Sequence, residues 1–237
     1  MMARHTNKPV SGKHQPKGFH ILYEDDDIIV GNKAAGLLTV AAMYERERTV
    51  HQLLNLYVRK GNSRSHRCVY VVHRLDRETS GVLIFAKSET IQQTLKNNWP
   101  DTKKTYYAVV HGRLAKPEGL IESYLVEDDK YRVHSLEEAE DGKLARTAYK
   151  VIKVTDRYSL LEIDLLTGRK NQIRVHMAHH GHPLVGDTKY GRPGAKYPFL
   201  ALHAYAISFP HPKTKDRVTF NAPVPEHFYS LVGRWAS

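Results

Sequence analysis

Cysteine is nearly absent from this chain of 237 residues, where Cys68 is the sole example. That excludes an intrachain disulfide and any zinc site built on four cysteines. Long apolar runs are missing too. No stretch approaches the ~20 residues of a membrane-spanning helix, and the N-terminal residues hold no apolar core of a secretory signal. These absences lead to the expectation of a cytoplasmic protein with no membrane partner. Acid is in short supply: 25 Asp and Glu stand against 36 Lys and Arg, a formal net charge of +11. Such a bias points to a polyanionic partner. No basic amphipathic helix of the kind that lies on lipid is visible, so nucleic acid leads over an anionic membrane. The length suffices for one large domain or two lobes with a sizeable core.

The first 17 residues carry Arg4, Lys8, Lys13 and Lys17 without an acid, broken by Pro9, Gly12 and Pro16. They read as a basic disordered arm, residues 1–17, which either follows a partner's phosphates or is simply solvated. Residues 19–23 and 28–30 read as strands joined through Asp25-Asp26-Asp27. No further acids follow those three at calcium-loop spacing, so a polar turn is the better reading than a metal site. A helix is expected over 48–60, with Thr49 as its cap, Val50, Leu53, Leu54, Tyr57 and Val58 as its apolar stripe, and Gly61 at its end. Ser88 is positioned to cap a second helix to about residue 98, stopped by Pro100. Residues 103–112 form a strand with lysines at its mouth. Residues 117–142 are polar and acidic, densest at Glu137-Glu138-Ala139-Glu140-Asp141. They read as short hairpins and a solvated loop, turned away from a polyanion by like charge. A strand follows over 158–166, with Leu161, Ile163 and Leu165 on one face. Another helix is expected over 171–180, a strand over 218–221 and a last helix over 226–235.

The richest stretch is Val71-Val72-His73-Arg74-Leu75-Asp76-Arg77-Glu78-Thr79-Ser80-Gly81, followed by Val82-Leu83-Ile84-Phe85-Ala86-Lys87. Two apolar strands flank a charged insert, and Thr79-Ser80-Gly81 supplies turn chemistry. Arg74 and Arg77 sit beside Asp76, and neighbouring cations favour the ionised carboxylate. An ionised carboxylate on a loop between two strands is able to serve as nucleophile, base or substrate anchor. A surface hairpin with a local charge pair has the same spacing.

The words themselves go further. His-Arg-Leu-Asp-x-x-Thr-Ser-Gly over 73–81 resembles the signature of the RluA-type pseudouridine synthase family. So does Lys104-Thr105-Tyr106-Tyr107-Ala108 with Gly112, and so does the Ala-x-Thr-x-Tyr cadence over 145–149. Thr167-Gly168-Arg169-Lys170-Asn171-Gln172-Ile173-Arg174-Val175-His176 resembles the family's Thr-Gly-Arg-x-His-Gln-Ile-Arg-x-His. His182-Pro183-Leu184-Val185-Gly186-Asp187 with Tyr190-Gly191, and then Leu202-His203-Ala204, continue the pattern. The chain departs from it twice: Ala34 stands where proline is usual, and Asn171 where histidine is usual. Asn171 keeps hydrogen bonding but cannot carry charge, so no acid–base role is assigned there.

The resemblance implies an α+β fold: one catalytic domain over 18–237, with a mixed, mostly antiparallel sheet, flanking helices and a central cleft. It leaves no room for the S4 domain that many family members carry, so a minimal catalytic domain is expected. It implies isomerisation of uridine to pseudouridine in ribosomal large-subunit RNA or transfer RNA, with Asp76 catalytic. Arg174 becomes the arginine that pairs with that aspartate, and Tyr106 the tyrosine against the extruded uracil. The isomerisation breaks N1–C1′ and joins C5 to C1′ with no net redox change, so no cofactor and no metal are expected. Attack by Asp76 at C1′, attack at C6, and a route through proton loss at C2′ all fit. His73, Arg74, Arg77, Lys104, Arg169 and Lys170 are the expected RNA contacts. Arg74 is the candidate to fill the gap left by the flipped nucleotide, and the start of the 171–180 helix is a candidate phosphate site. His176, His179, His180 and His182 have helical spacing, yet no acidic third ligand accompanies them as in metalloproteases, and no zinc site is assigned. A monomer is expected. The alternative reading is an inactive RNA-binding or ribosome-assembly module of the same fold. A nuclease or other aspartate hydrolase fits less well, because acids near Asp76 are outnumbered by cations.

Overall fold

The computed structural model describes residues 15–42, 47–192 and 197–235. Residues 1–14 of the basic arm lie outside the described residues. The chain divides into two compact units, Met1–Thr102 with Ala204–Pro223, and Lys103–His203 with Val224–Ser237. The class is the expected α+β, and no helix among the described residues is long and apolar enough to cross a membrane.

In the first unit, strands β1 (Phe19–Glu24), β2 (Ile28–Lys33) and β4 (Ser80–Ala86) lie side by side, followed by β10 (Leu202–Pro210) and β11 (Arg217–Asn221). A two-residue strand, β3 (Tyr70–Val71), also pairs with β4. The pairings β1–β2, β2–β4, β3–β4 and β10–β11 are antiparallel. All seven residues of β4 are buried, as a strand covered on both faces requires. One core joins Ile28, Val30, Val82, Ile84, Ile207 and Phe209, with Leu95 of helix α2 (Glu89–Asn97) packed into it.

Both helix starts follow local chemistry. Thr49 Oγ1 accepts the Gln52 N–H at the head of helix α1 (Val50–Arg59), and Ser88 Oγ accepts the Ile91 N–H at the head of α2. At the far end of α1, Lys60 is the cap at φ 50° and Gly61 follows it at φ 75°, so both residues that end the helix are left-handed. Asn55 of α1 accepts the Val69 N–H at 2.8 Å, tying the helix to the approach of β3.

The second unit contains β5 (Lys103–His111), β9 (Tyr158–Leu165), β8 (Lys143–Val154), β6 (Glu118–Glu127) and β7 (Val133–Leu136), in that spatial order. Each of these neighbours is antiparallel. The acidic segment expected as hairpins is the β6–β7 hairpin followed by a loop. Helix α3 (Gln172–His179) packs on β7 and β8, and helix α4 (Glu226–Val232) on β5 and β9. The last helix ends at Val232, short of the expected residue 235, with Gly233 as its cap at φ 72°.

Candidate functional site

The signature stretch is a broad loop rather than a tight hairpin. Tyr70 pairs with Ala86 and Val71 with Phe85, after which the chain leaves the sheet until Ser80. The turn is made at Asp76-Arg77-Glu78-Thr79, closed by the Thr79 N–H donating to the Asp76 carbonyl at 3.2 Å. Gly81, expected in the turn, lies inside β4. A Cβ added there would stand 2.2 Å from the Ala204 carbonyl oxygen, and its φ is +119°. Glycine is needed for the close approach of that backbone.

Asp76 is held from both sides along the chain. The Thr39 hydroxyl donates to the Leu75 carbonyl at 3.0 Å and accepts the Leu75 N–H at 3.2 Å. The Arg77 carbonyl accepts the Gly36 N–H at 2.8 Å and the Lys33 Nζ at 3.0 Å. Lys33 is fully buried and also donates to the carbonyls of Ala34 and Leu37. Burial pushes its ammonium down to about 7, with the charges of Glu78 and Asp76 pulling the other way. The Arg77 side chain returns to the same turn, its Nε donating to the Gly36 carbonyl at 3.1 Å. His73 is half-buried: its Nε2 accepts the Ile84 N–H and its ring lies against Trp99 at 4.9 Å between centroids. Arg74, Arg77 and Glu78 are exposed, while Leu75 and Thr79 are buried. The loop is rigid at its backbone and charged on its outside.

Ala34 has a physical account. Its N–H donates to the Gly18 carbonyl at 2.8 Å, a bond that the usual proline lacks the hydrogen to make.

In the second unit, Lys104 and Tyr106 lie two apart on β5 and share a face. Both are buried, and burial lowers the Lys104 pKa against the opposing charge of Asp164. Arg174 is on α3, whereas Lys170, four residues earlier, precedes the helix and its left-handed cap Asn171. Arg174 Nε and Nη2 both donate to the Asp187 carboxylate at 2.8 Å, and its Nη1 donates to Asn171 Oδ1 at 3.2 Å. Burial alone would raise the Asp187 pKa. The hydrogen bonds and charge of Arg174, with the N–H groups of Tyr190 and Lys189, outweigh it and hold the carboxylate below its usual range.

Asn171 sits at φ 55°, left-handed, at the head of α3. Asparagine tolerates that conformation better than most residues. Its Nδ2 donates to the Tyr190 hydroxyl at 3.2 Å, so its side chain bridges Arg174 and Tyr190. Gln172 uses its whole amide: Oε1 accepts from Thr167 Oγ1 and the Arg169 N–H, and Nε2 donates to the Arg146 carbonyl and Thr147 Oγ1. Arg169 Nε donates to the Leu144 carbonyl. Lys170 pairs with Glu127.

Two groups bear on metal binding. His176 is fully buried between Ser123 and Thr147, each about one hydrogen bond away at 3.0 and 2.9 Å, and burial pushes its pKa down to about 4. It is a neutral core histidine. Asp25, Asp27 and His211 bring ligand atoms within 4.8 Å of one another. Asp25, however, already accepts from the Tyr23 hydroxyl, His211 Nε2 and the N–H groups of Asp27 and Ile28. The same atoms knit the β1–β2 turn to the turn after β10.

Asp76, His73, Arg74 and Arg77 thus share one loop of the first unit. Tyr106, Lys104, Arg169, Lys170 and Arg174 belong to the second. Lys33, Thr39, Asp187 and Tyr190 support these residues and carry no role in the sequence reading. Asp187 and Tyr190 stood in the Gly-Asp-x-x-Tyr-Gly pattern, which was a signal without an assignment.

Residues 27–179 match the family described as RNA pseudouridylate synthase. The chain is 36% identical over 235 residues to a ribosomal large subunit pseudouridine synthase D of Neisseria meningitidis, covering 92% of this chain and 61% of that protein. It is 34% identical over 242 residues to a tRNA pseudouridine synthase C of Vibrio parahaemolyticus, covering 93% of this chain and 96% of that one. In fold it is similar to human RNA pseudouridylate synthase domain containing 4, with a TM-score of 0.74 and 22% identity over 88% of this chain and 89% of that one.

Proposed function

The chain belongs to the RNA pseudouridine synthase family and is an isomerase that converts uridine to pseudouridine in RNA; on that premise we propose that Asp76 is its catalytic carboxylate. The observation that carries this reading is the grip on the Asp76 backbone. Thr39 brackets the residue before it, Lys33 and Gly36 hold the residue after it, and the Thr79 N–H closes the turn on Asp76 itself. A reacting group must be positioned before the reaction, and a loop fixed at consecutive peptides does that.

The reaction moves a bond within one nucleotide. N1–C1′ breaks, C5–C1′ forms, the proton on C5 leaves and N1 gains one. Asp76 acts as nucleophile or base. Arg174 is the cation that favours an ionised carboxylate in this chemistry, and its clamp on Asp187 keeps the guanidinium from turning. Tyr106 lies against the uracil and passes a proton. The target base must leave its stack, which costs a few kcal/mol and least in a loop. Arg74, exposed next to the aspartate, fills the space it vacates. His73 and Arg77 serve chiefly to hold the loop, since both side chains are engaged by backbone groups of the first unit.

The substrate is structured RNA, either large-subunit ribosomal RNA or transfer RNA. The support is that relatives of comparable identity are named for each. Total RNA from cells with and without the gene, mapped for pseudouridine by chemical labelling, decides it. A site lost on deletion is expected to return with the wild-type gene and to stay absent with Asp76→Asn. Restoration by Asp76→Asn would overturn the assignment of Asp76, and the RNA that carries the site identifies the substrate.

A further inference from the structure

Tyr131 is the most exposed large apolar side chain among the described residues, at 72%. It sits in the β6–β7 turn with φ 58°, a left-handed backbone that a bulky ring disfavours. Glycine or asparagine would suit that position better. Core packing does not explain the ring, because the ring is outside the core. The turn nevertheless holds it firmly. The Tyr131 N–H donates to the Asp128 carbonyl at 2.9 Å. Asp128 Oδ1 accepts the N–H groups of Lys130 and Arg132, and Oδ2 accepts from His134. The Tyr131 carbonyl accepts Lys189 Nζ at 2.6 Å.

The surroundings are cationic. Lys170 Nζ lies 5.4 Å from the centroid of the Tyr131 ring, at the head of α3. Lys130 and Arg132 are its chain neighbours, and Lys189 touches its carbonyl. Glu127, Asp128 and Asp129 oppose them. Glu127 is paired with Lys170, and Asp128 is committed to the turn and His134. An exposed, pre-positioned aromatic ring among cations has the chemistry of a platform for an unpaired nucleotide: the ring stacks on a base and the cations meet its phosphates. The platform also adjoins groups already described. Lys170 is four residues before Arg174 in the chain, and Lys189 is two residues from the Asp187 that clamps Arg174.

We propose that Tyr131 is a stacking site for an unpaired nucleotide of the RNA, with Lys130, Arg132, Lys170 and Lys189 as its phosphate contacts. The inference rests on the RNA-modifying reading for the identity of its ligand, but not on the role of Asp76. It also revises the expectation that residues 117–142 stand away from RNA. The acid-dense part, 137–141, lies after β7, whereas the turn at 128–132 is contacted by Lys170, just before α3, and by Lys189, after it.

A short fluorescein-labelled oligocytidine tests this by anisotropy at one fixed low salt concentration. It holds no uridine, so it reports binding whether or not isomerisation occurs. Tyr131→Asn removes the ring and relaxes the backbone, and it is expected to weaken binding about tenfold. Tyr131→Trp is expected to bind like wild type. A merely electrostatic patch predicts unchanged binding, since Tyr131→Asn leaves every lysine and arginine of the patch in place. Equal or tighter binding by Tyr131→Asn, or no binding by wild type, overturns the proposal. A partner protein at this face is among the readings those results would favour.

Discussion

At the scale of single residues, Lys33 shows how a supporting group sets conditions for a reacting one. A charged ammonium has three donors, and Lys33 spends them on the carbonyls of Ala34, Leu37 and Arg77. Its pKa in the fold is about 7, against 10.5 for an ordinary lysine. Between those values the unfolded chain binds a proton that the folded chain has released. Stability contributed through Lys33 therefore rises with pH above about 7 and levels off near 10.5. Below 7 both states are protonated and the cost of burying the charge is present in full. Denaturant melts of wild type and Lys33→Met from pH 7 to pH 9 are expected to diverge in that direction. The difference should approach about 1 kcal/mol per pH unit in favour of wild type. A flat difference would mean that the lysine keeps its proton. The neutral amine has only two donors, so one tether on the 34–37 or 77 carbonyls is lost as the pH rises. None of this was legible in the sequence, where Lys33 was assigned no role. Its acceptor at Arg77 is 44 positions away, and no local pattern encodes such a contact. Thr49 and Ser88 were legible as caps because each bonds an N–H three residues on.

At the scale of elements, the head of α3 carries the argument. The helix presents Gln172, Arg174 and His176 to the interior, an unusual face for a helix that packs on a sheet. Each is satisfied: Gln172 by four partners, Arg174 by Asp187 and Asn171, His176 by Ser123 and Thr147. A weak apolar stripe is the consequence. The helix was found in the sequence through its motif and its terminal Gly181, and not through its periodicity. The same polar face hid the role of Asp187, since an acid in a loop 13 residues later gives no sign of which cation it meets. Asn171 fixes the start. Replacing it by alanine removes a side chain that tolerates φ 55° and breaks its bonds to Arg174 and Tyr190. Asn171→Ala is expected to destabilise the protein by about 1–3 kcal/mol in equilibrium unfolding. Asn171→His, the residue usual in the family, adopts left-handed backbone more readily than alanine and is expected to cost less. Equal stability of the two variants would show that the backbone conformation at 171 is not under strain. The charge missing at Asn171 is then no defect of the site, because the position acts by geometry.

At the scale of the whole molecule, the net charge of +11 makes binding to RNA depend steeply on salt. Each phosphate neutralised contributes a slope of about −0.7 in log K against log salt for single strands and about −0.9 for a duplex. That dependence separates two uses of an arginine which structure alone leaves alike. Arg74 is exposed beside Asp76. If it fills the space of the flipped nucleotide by stacking, Arg74→Ala weakens binding to the substrate RNA by a similar factor at every salt concentration. If it meets a phosphate, the same variant loses less affinity as salt rises, and the slope becomes shallower by about 0.7–0.9. The stacking reading predicts an unchanged slope, together with a lower turnover at saturating RNA, because a base with no substitute in its stack returns more readily. Titrations of wild type and Arg74→Ala over a range of salt concentrations, with turnover measured at each end, are sufficient. A shallower slope with normal turnover would reassign Arg74 to the phosphate backbone. Binding and turnover both unchanged would remove it from the site. The composition pointed to a nucleic acid from the start, since a basic excess is a property of the whole chain and survives without any structure. Which cations spend their charge on the protein is a property of the fold. Lys33 is consumed by carbonyls and Arg174 by Asp187. The slope measured for wild type counts only those that remain for RNA, and it is expected to fall well short of what a formal charge of +11 would suggest.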